Sequence, residues 1–226
     1  MLINWATVKT FLIVFVPLQF VVTFKKKEKT MQEKQTPTKY EIHPLLKGRW
    51  SPRAFSQKAI TETEIKTLLE AGRWAPSSNN LQPWRIIWGL KGSDTYQRIF
   101  DCLVDFNQDW VEDTPALMLG AYKNDMKDGE KENFHALHDL GLFMGNVCVQ
   151  ATSMGIAVHQ MAGLDQDKAK EEFEFPDNYH VATATAIGYY GGNPDTLPED
   201  LQDEETKIMR ERKPQREFAF NGNFKN

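Results

Sequence analysis

The feature that most restricts what this chain can fold into is the run at 134–154, FHALHDLGLFMGNVCVQATSM. Apolar residues recur there at helical spacing and cover most of the circumference, which predicts a long helix buried on several sides. The whole chain has 226 residues, 41% of them hydrophobic, enough for one domain with a proper core. In a domain of that size such a helix asks for more cover than one core offers, so a subunit interface is expected along it as well. Around it, 114–122 reads as a short buried strand and 180–190, alternating and β-branched, as another. Residues 157–165 read as a strand ending in a turn, with Asp165 capping a helix over 166–173. Strands alternating with helices predict an α/β or α+β layered sheet.

A second informative stretch is EAGRWAPSSNNLQPWR at 70–85. It begins as a helix. Ile65, Leu68, Leu69 and Trp74 are apolar at three-to-four spacing, and Thr61 with Glu64 makes a capping box. Pro76 ends the helix because it has no N–H to donate. Two serines and two asparagines follow, more hydrogen-bonding groups than a turn needs, and 85–88 then reads as a strand. On composition alone the loop is as readily a plain connector as a ligand cradle.

Upstream, Arg49 and Arg53 flank Ser51. Guanidinium groups are forked, permanently charged donors that suit phosphate, although the spacing alone equally fits a solvated basic loop. The net charge of −4 gives no reason to expect nucleic acid. No Gly-x-Gly-x-x-Gly follows a strand, and neither a P-loop nor a Gly-x-Ser-x-Gly elbow is present. His135 and His138 can share a helix face, but no third ligand is evident, so no metal site is expected. Cys102 and Cys148 lack metal spacing and fit a reducing compartment, with Cys148 read as a buried thiol.

Residues 11–24 are almost wholly apolar and Lys25, Lys26 and Lys27 follow. Three readings compete: a short membrane anchor whose basic flank favours a cytoplasmic domain, a signal h-region without a small-x-small site, or sequence upstream of a true start at Met31. The third is preferred, and a cytoplasmic location is expected, with membrane contact only through 11–24. The polar stretch 25–39 reads as an arm, so 1–42 is placed outside the domain and 43–226 inside it.

APSSNNLQPWR at 75–85 resembles the most characteristic loop of the FMN-dependent nitroreductase family. Arg49-Trp50-Ser51-Pro52-Arg53-Ala54-Phe55 resembles that family's opening Arg-x-Ser-x-Arg-x-Phe. The two motifs occur in the family's order with one helix between them, and the resemblance runs from about residue 43 to the C-terminus. It implies an α+β fold, an α/β/α sandwich around a central, mainly antiparallel sheet, built as an intertwined homodimer with the 134–154 helix at its centre. It implies FMN, with the terminal phosphate and ribityl chain contacted by Arg49, Ser51 and Arg53, and Trp50 in the same set. Pro76, Ser77, Ser78, Asn80 and Gln82 would line the flavin, with Asn80 arriving from the partner. Ala162 and Gly163 would present backbone N–H groups to the isoalloxazine edge, with Gln160 and Met161 beside the ring. Gly163 would be needed because a Cβ would obstruct the flat ring.

The resemblance also implies a basic residue near the C-terminus on the phosphate, either Arg212 or Lys213, followed by a short apolar strand at 218–220 that embraces the partner. Phe106 and Trp110 border the expected active site and are more readily packing than a lid. The activity implied is passage of hydride from NADH or NADPH through flavin N5 to a small electron-poor acceptor such as a nitroaromatic or a quinone, with no side chain required as a catalyst. A non-catalytic flavin carrier or sensor, and a flavin-fragmenting or dehalogenating relative, are the alternatives.

Overall fold

A computed structural model describes residues 34–126, 129 and 131–224 of the chain. The apolar run at 11–24 and the start at Met31 lie outside these residues. Four strands form one sheet: β1 (Trp84–Leu90), β2 (Ala116–Lys123), β3 (Ile156–Met161) and β4 (Tyr179–Tyr189). Their order across the sheet is β1-β2-β4-β3 and every pairing is antiparallel. The helices are α1 (Pro44–Gly48), α2 (Glu62–Arg73), α3 (Asp94–Asp101), α4 (Asp105–Val111), α5 (Ala136–Ser153), α6 (Gln166–Glu172) and α7 (Glu199–Thr206).

Strand β2 shows why the fold has three layers. It is apolar on both faces, and its alternate residues enter different cores. Leu117, Leu119 and Ala121 join Ile99, Val111 and Leu201 on one side. Ala116 and Met118 join Ile65, Leu68, Phe143 and Val147 on the other. The helices α2 and α5 therefore cover one face, while α3, α4, α6 and α7 cover the second. A strand buried on both faces has no polar side to offer solvent, so a layer on each side is obligatory. The capping box at the start of α2 is present, with Glu64 N–H donating to Thr61 Oγ1 at 3.2 Å and Thr61 N–H to Glu64 Oε2 at 2.8 Å.

Four expectations need correction. Trp74, counted on the apolar face of α2, is 73% exposed: it falls at the C-cap, past the last full turn, and its indole N–H donates to Glu70. Residues 197–210, rich in charge, read from the sequence as a charged, exposed helix, but the helix is shorter and buries Leu201 and Glu205, because the Glu205 carboxylate is drawn inward to backbone N–H donors. The apolar strand expected at 218–220 does not form. A 3-10 turn (Gln215–Glu217) precedes Phe218, which is exposed, and among the described residues the segment pairs with no strand edge. Finally, the polar arm does not stop short of the domain. Lys34 is buried, and Gln35 N–H donates to Ile208 O at 2.9 Å while Arg210 N–H donates to Gln35 O at 3.2 Å. An outward lysine becomes an inward one here because two backbone carbonyls and an aromatic face await its ammonium group.

Candidate functional site

The loop after α1 carries Arg49, Trp50, Ser51 and Arg53. It belongs to no strand, so its backbone polar groups have to be met by side chains from elsewhere. Glu205 on α7 accepts from Arg53 N–H at 2.9 Å and from Ala54 N–H at 3.2 Å. The Arg210 guanidinium donates to the carbonyls of Arg49 and Lys47 and to the Thr36 hydroxyl. The Tyr190 hydroxyl donates to Trp50 O at 3.1 Å, and its ring stacks at a tilt on Trp50. His159 on β3 meets Pro52 O through Nδ1 at 2.9 Å and packs on Trp110. A carbonyl only accepts, so His159 Nδ1 carries the proton. Burial pushes the His159 pKa down to about 4, which keeps the ring neutral beside Arg53.

The clamped loop forms one wall of a cavity of about 390 Å³. Arg49, Trp50, Ser51 and Arg53 line it, opposite Arg210, Glu211 and Arg212 of the C-terminal segment. Six basic and three acidic residues surround it, so its field favours an anion. Trp50 Nε1, Arg53 Nε and Arg210 Nε, all on lining residues, are buried donors without a protein partner. Arg49 Nη1 donates to Ser51 Oγ at 3.2 Å, which holds a guanidinium and a hydroxyl side by side. Of the two alternatives at the C-terminus, Arg212 shares this cavity with Arg49, Ser51 and Arg53. Lys213 lines a neighbouring cavity of about 790 Å³ between residues 36–46 and 209–218.

The second motif lies elsewhere. After Pro76, a 3-10 turn (Ser78–Asn80) carries Asn79 and Asn80 at φ of 49° and 54°, and Gln82 follows at 50°. Three of the four non-glycine residues with positive φ among the described residues are thus in this loop. Left-handed backbone costs a residue with a Cβ, although asparagine tolerates it best. Gln82 N–H donates to Ser77 Oγ at 3.1 Å, and Gln82 Nε2 to Asn80 Oδ1 at 3.0 Å. One remote bond anchors the turn: Ser78 N–H donates to Asp139 Oδ2 at 3.1 Å. Asp139, which follows His138 in the stretch considered and rejected for metal, is a buried loop anchor on α5. Among the described residues no group of three metal-ligating side chains occurs. None of Pro76, Ser77, Ser78, Asn80 and Gln82 lines either cavity beside Arg49.

The turn after β3 is different again. Gln160 is exposed, and its Nε2 lies 3.9 Å from the half-buried Cys148 Sγ. Met161 is buried and its side chain packs in the core. Ala162 is exposed. Gly163 meets close neighbours within its own chain. A Cβ there would sit 2.6 Å from Asn107 Nδ2 and 2.9 Å from Val104 Cγ2, so α4 is what excludes it. Asn107 Nδ2 and Val104 N–H both donate to Gly163 O, at 2.7 Å and 3.3 Å, fixing the turn. Sequence reading missed Asn107; an asparagine at the start of an acidic, aromatic helix gave no local sign of it. Trp110 of the same helix is buried and Phe106 is exposed, which leaves only Phe106 free to border a ligand.

The nitroreductase family model matches this sequence over residues 46–101 and 91–189. A solved oxidoreductase described as containing FMN is similar in structure, with a TM-score of 0.78 and 31% identity, covering 84% of this chain and 96% of that one. Nitroreductase A from Vibrio parahaemolyticus shares the fold at a TM-score of 0.63 and 20% identity, over 80% of this chain and 76% of that one. A Streptomyces coelicolor protein provisionally named an NADH dehydrogenase/NAD(P)H nitroreductase is 22% identical over 166 residues, 64% of this chain and 82% of that protein.

Proposed function

The chain belongs to the nitroreductase family, and from that premise we propose that it is an FMN-dependent NAD(P)H oxidoreductase that reduces small electron-poor acceptors such as nitroaromatics or quinones. The observation that carries the reading is the cavity beside the 49–53 loop. Its basic surplus, with the Arg49 guanidinium held beside the Ser51 hydroxyl, fits one terminal phosphate with an adjoining polyol. Arg49, Arg53 and Arg212 would hold the phosphate, and the Ser51 hydroxyl the chain beside it. Bound FMN supplies acceptance of hydride from a reduced nicotinamide at N5 and its delivery to the acceptor. The protein binds, orients and excludes water, and no side chain is required as acid or base. The turn at Ala162 and Gly163, locked by Asn107, would offer rigid backbone donors near the redox centre, preorganised for developing charge.

The functional unit in this reading is a homodimer. On α5, Leu137 and Val149 are exposed, and Gly141 and Gly145 stand between them at four-residue spacing with open space where a Cβ would be. That stripe suits close approach of a second helix, and the apolar groups at its ends reward cover. A partner would also bring its own 76–82 loop, Asn80 included, towards the cavity that this chain's loop does not line. The reading places the domain in the cytoplasm and leaves residues 1–33 outside its account.

The test is direct. The purified protein should be yellow, and flavin released by heat should run as FMN and not as FAD. Anaerobic NADH or NADPH should bleach it rapidly, and a nitroaromatic or quinone should restore the colour. A colourless protein that takes up no added FMN would end the cofactor reading. Tight FMN that neither nicotinamide bleaches would make it a carrier or sensor instead.

A further inference from the structure

The clamp on the 49–54 loop carries a further inference, which rests on the phosphate reading above. We propose that Glu205 is a positioning residue for the flavin phosphate, aiming the Arg53 side chain through its backbone, and that Lys34 holds Glu205 in place. Both residues are nearly inaccessible, Glu205 at 3% and Lys34 at 8% exposure. Charged residues are rarely buried without a specific arrangement of partners.

The arrangement is a relay of contacts. The two oxygens of Glu205 take up the consecutive N–H groups of Arg53 and Ala54, one each. A carboxylate spanning two adjacent backbone donors fixes the peptide plane between them, and with it the direction in which Arg53 leaves the backbone. Burial pushes the Glu205 carboxyl up, and the two N–H donors, Lys34 and Arg53 oppose that by favouring the anion.

Lys34 does not pair with that carboxylate directly. Its ammonium donates to the carbonyls of Glu205 and Lys207, the latter at 2.7 Å, at the end of α7. Those are carbonyls that a helix terminus leaves without intrahelical partners, and a cation is favoured there. Its Nζ also lies 4.2 Å from the centre of the Trp50 ring, on the same loop. Lys34 thus fastens the last turn of α7 to the loop, and Glu205 works from that turn. Glu205 is on the cavity wall with the wrong sign to bind an anion itself, so its value to the site lies in what it does to Arg53.

Apoprotein titrated with FMN and, separately, with riboflavin tests this. The two flavins differ only in the terminal phosphate, so the ratio of their affinities reports the phosphate subsite alone. For Glu205→Ala the expected result is FMN affinity down about ten- to hundredfold, the scale of hydrogen bonds to a charged group, with riboflavin affinity unchanged. Glu205→Gln keeps the shape and one accepting oxygen and should recover part of the loss. Lys34→Met should lower FMN affinity severalfold with riboflavin again unchanged, and it carries the test if Glu205→Ala does not fold. Equal losses for both flavins, or an unchanged ratio in a folded variant, would overturn the proposal while leaving the FMN reading intact. Wild-type protein that binds neither flavin would overturn both.

Discussion

The 49–54 loop and the 76–82 loop both carry family motifs, yet they are held in different ways. The first is held from a distance. Glu205, Arg210, Tyr190 and His159, all far along the chain, meet its N–H and carbonyl groups. The second is held mainly by itself, through left-handed backbone at Asn79, Asn80 and Gln82 and side-chain bonds within the loop, with Asp139 as its one remote anchor among the described residues. A loop fixed by tertiary contacts should fail with the fold around it. A loop that stores local strain should fail for function first and can even gain stability when the strain is released.

The largest effect should come from Gly192→Ala. Its Cβ would lie 2.3 Å from the carbonyl carbon of Ala54 and 2.5 Å from Phe55 N, and backbone cannot yield as a side-chain tip can. A loss of about 3 kcal/mol in unfolding free energy is expected, at the upper end for overpacking, with FMN lost as well. Chemical denaturation followed by flavin fluorescence measures both. A variant as stable as wild type would show that the first loop is far less constrained than its contacts indicate.

Arg53→Ala comes next and separates binding from folding. It removes a charge-assisted donor but leaves the backbone N–H on Glu205, so FMN affinity should fall by roughly 1.5–3 kcal/mol while the melting temperature of the apoprotein stays nearly unchanged. Unaltered affinity in a flavin titration would remove Arg53 from the phosphate site.

The third effect is one of pH and reaches the first loop through its anchor His159. The His159 pKa is lowered from 6.5 to about 4 in the fold, so between those values the unfolded chain binds the extra proton. Its contribution is complete above about pH 6.5 and is lost as pH falls towards 4. On the order of 3 kcal/mol is involved. His159→Gln, which still offers a donor to Pro52 O, should flatten the slope of stability against pH in that window. An identical slope in the variant would mean that other groups produce it.

The smallest effect should fall on the second loop and carry the opposite sign. Gln82→Gly relieves a left-handed φ of 50°, a gain of roughly 1 kcal/mol, less the side-chain bond to Asn80. A slightly higher melting temperature together with weaker flavin binding is expected. Lower stability would show that the loop is not strained.

By itself the sequence determined the elements whose signals are local. The apolar circumference of α5, the capping box of α2, the turn-rich 76–82 loop and the doubly apolar β2 were all legible, because helical period, capping and strand burial are set by near neighbours. Both family motifs were legible for the same reason. Only the tertiary structure decided how the first motif is supported. Lys34 looked like part of a polar arm, Glu205 like one acid among many in a charged helix, Asn107 like one residue of an acidic, aromatic stretch, and Asp139 like a neighbour of two histidines. Each acts on a backbone group tens of residues away, with Lys34 reaching Glu205 across 171 positions, and no local pattern encodes such a meeting. The same holds for Gly163: its need for a bare Cα was visible, but the neighbour that imposes it is Asn107 of α4, a residue brought there only by the packing of α4 on the sheet.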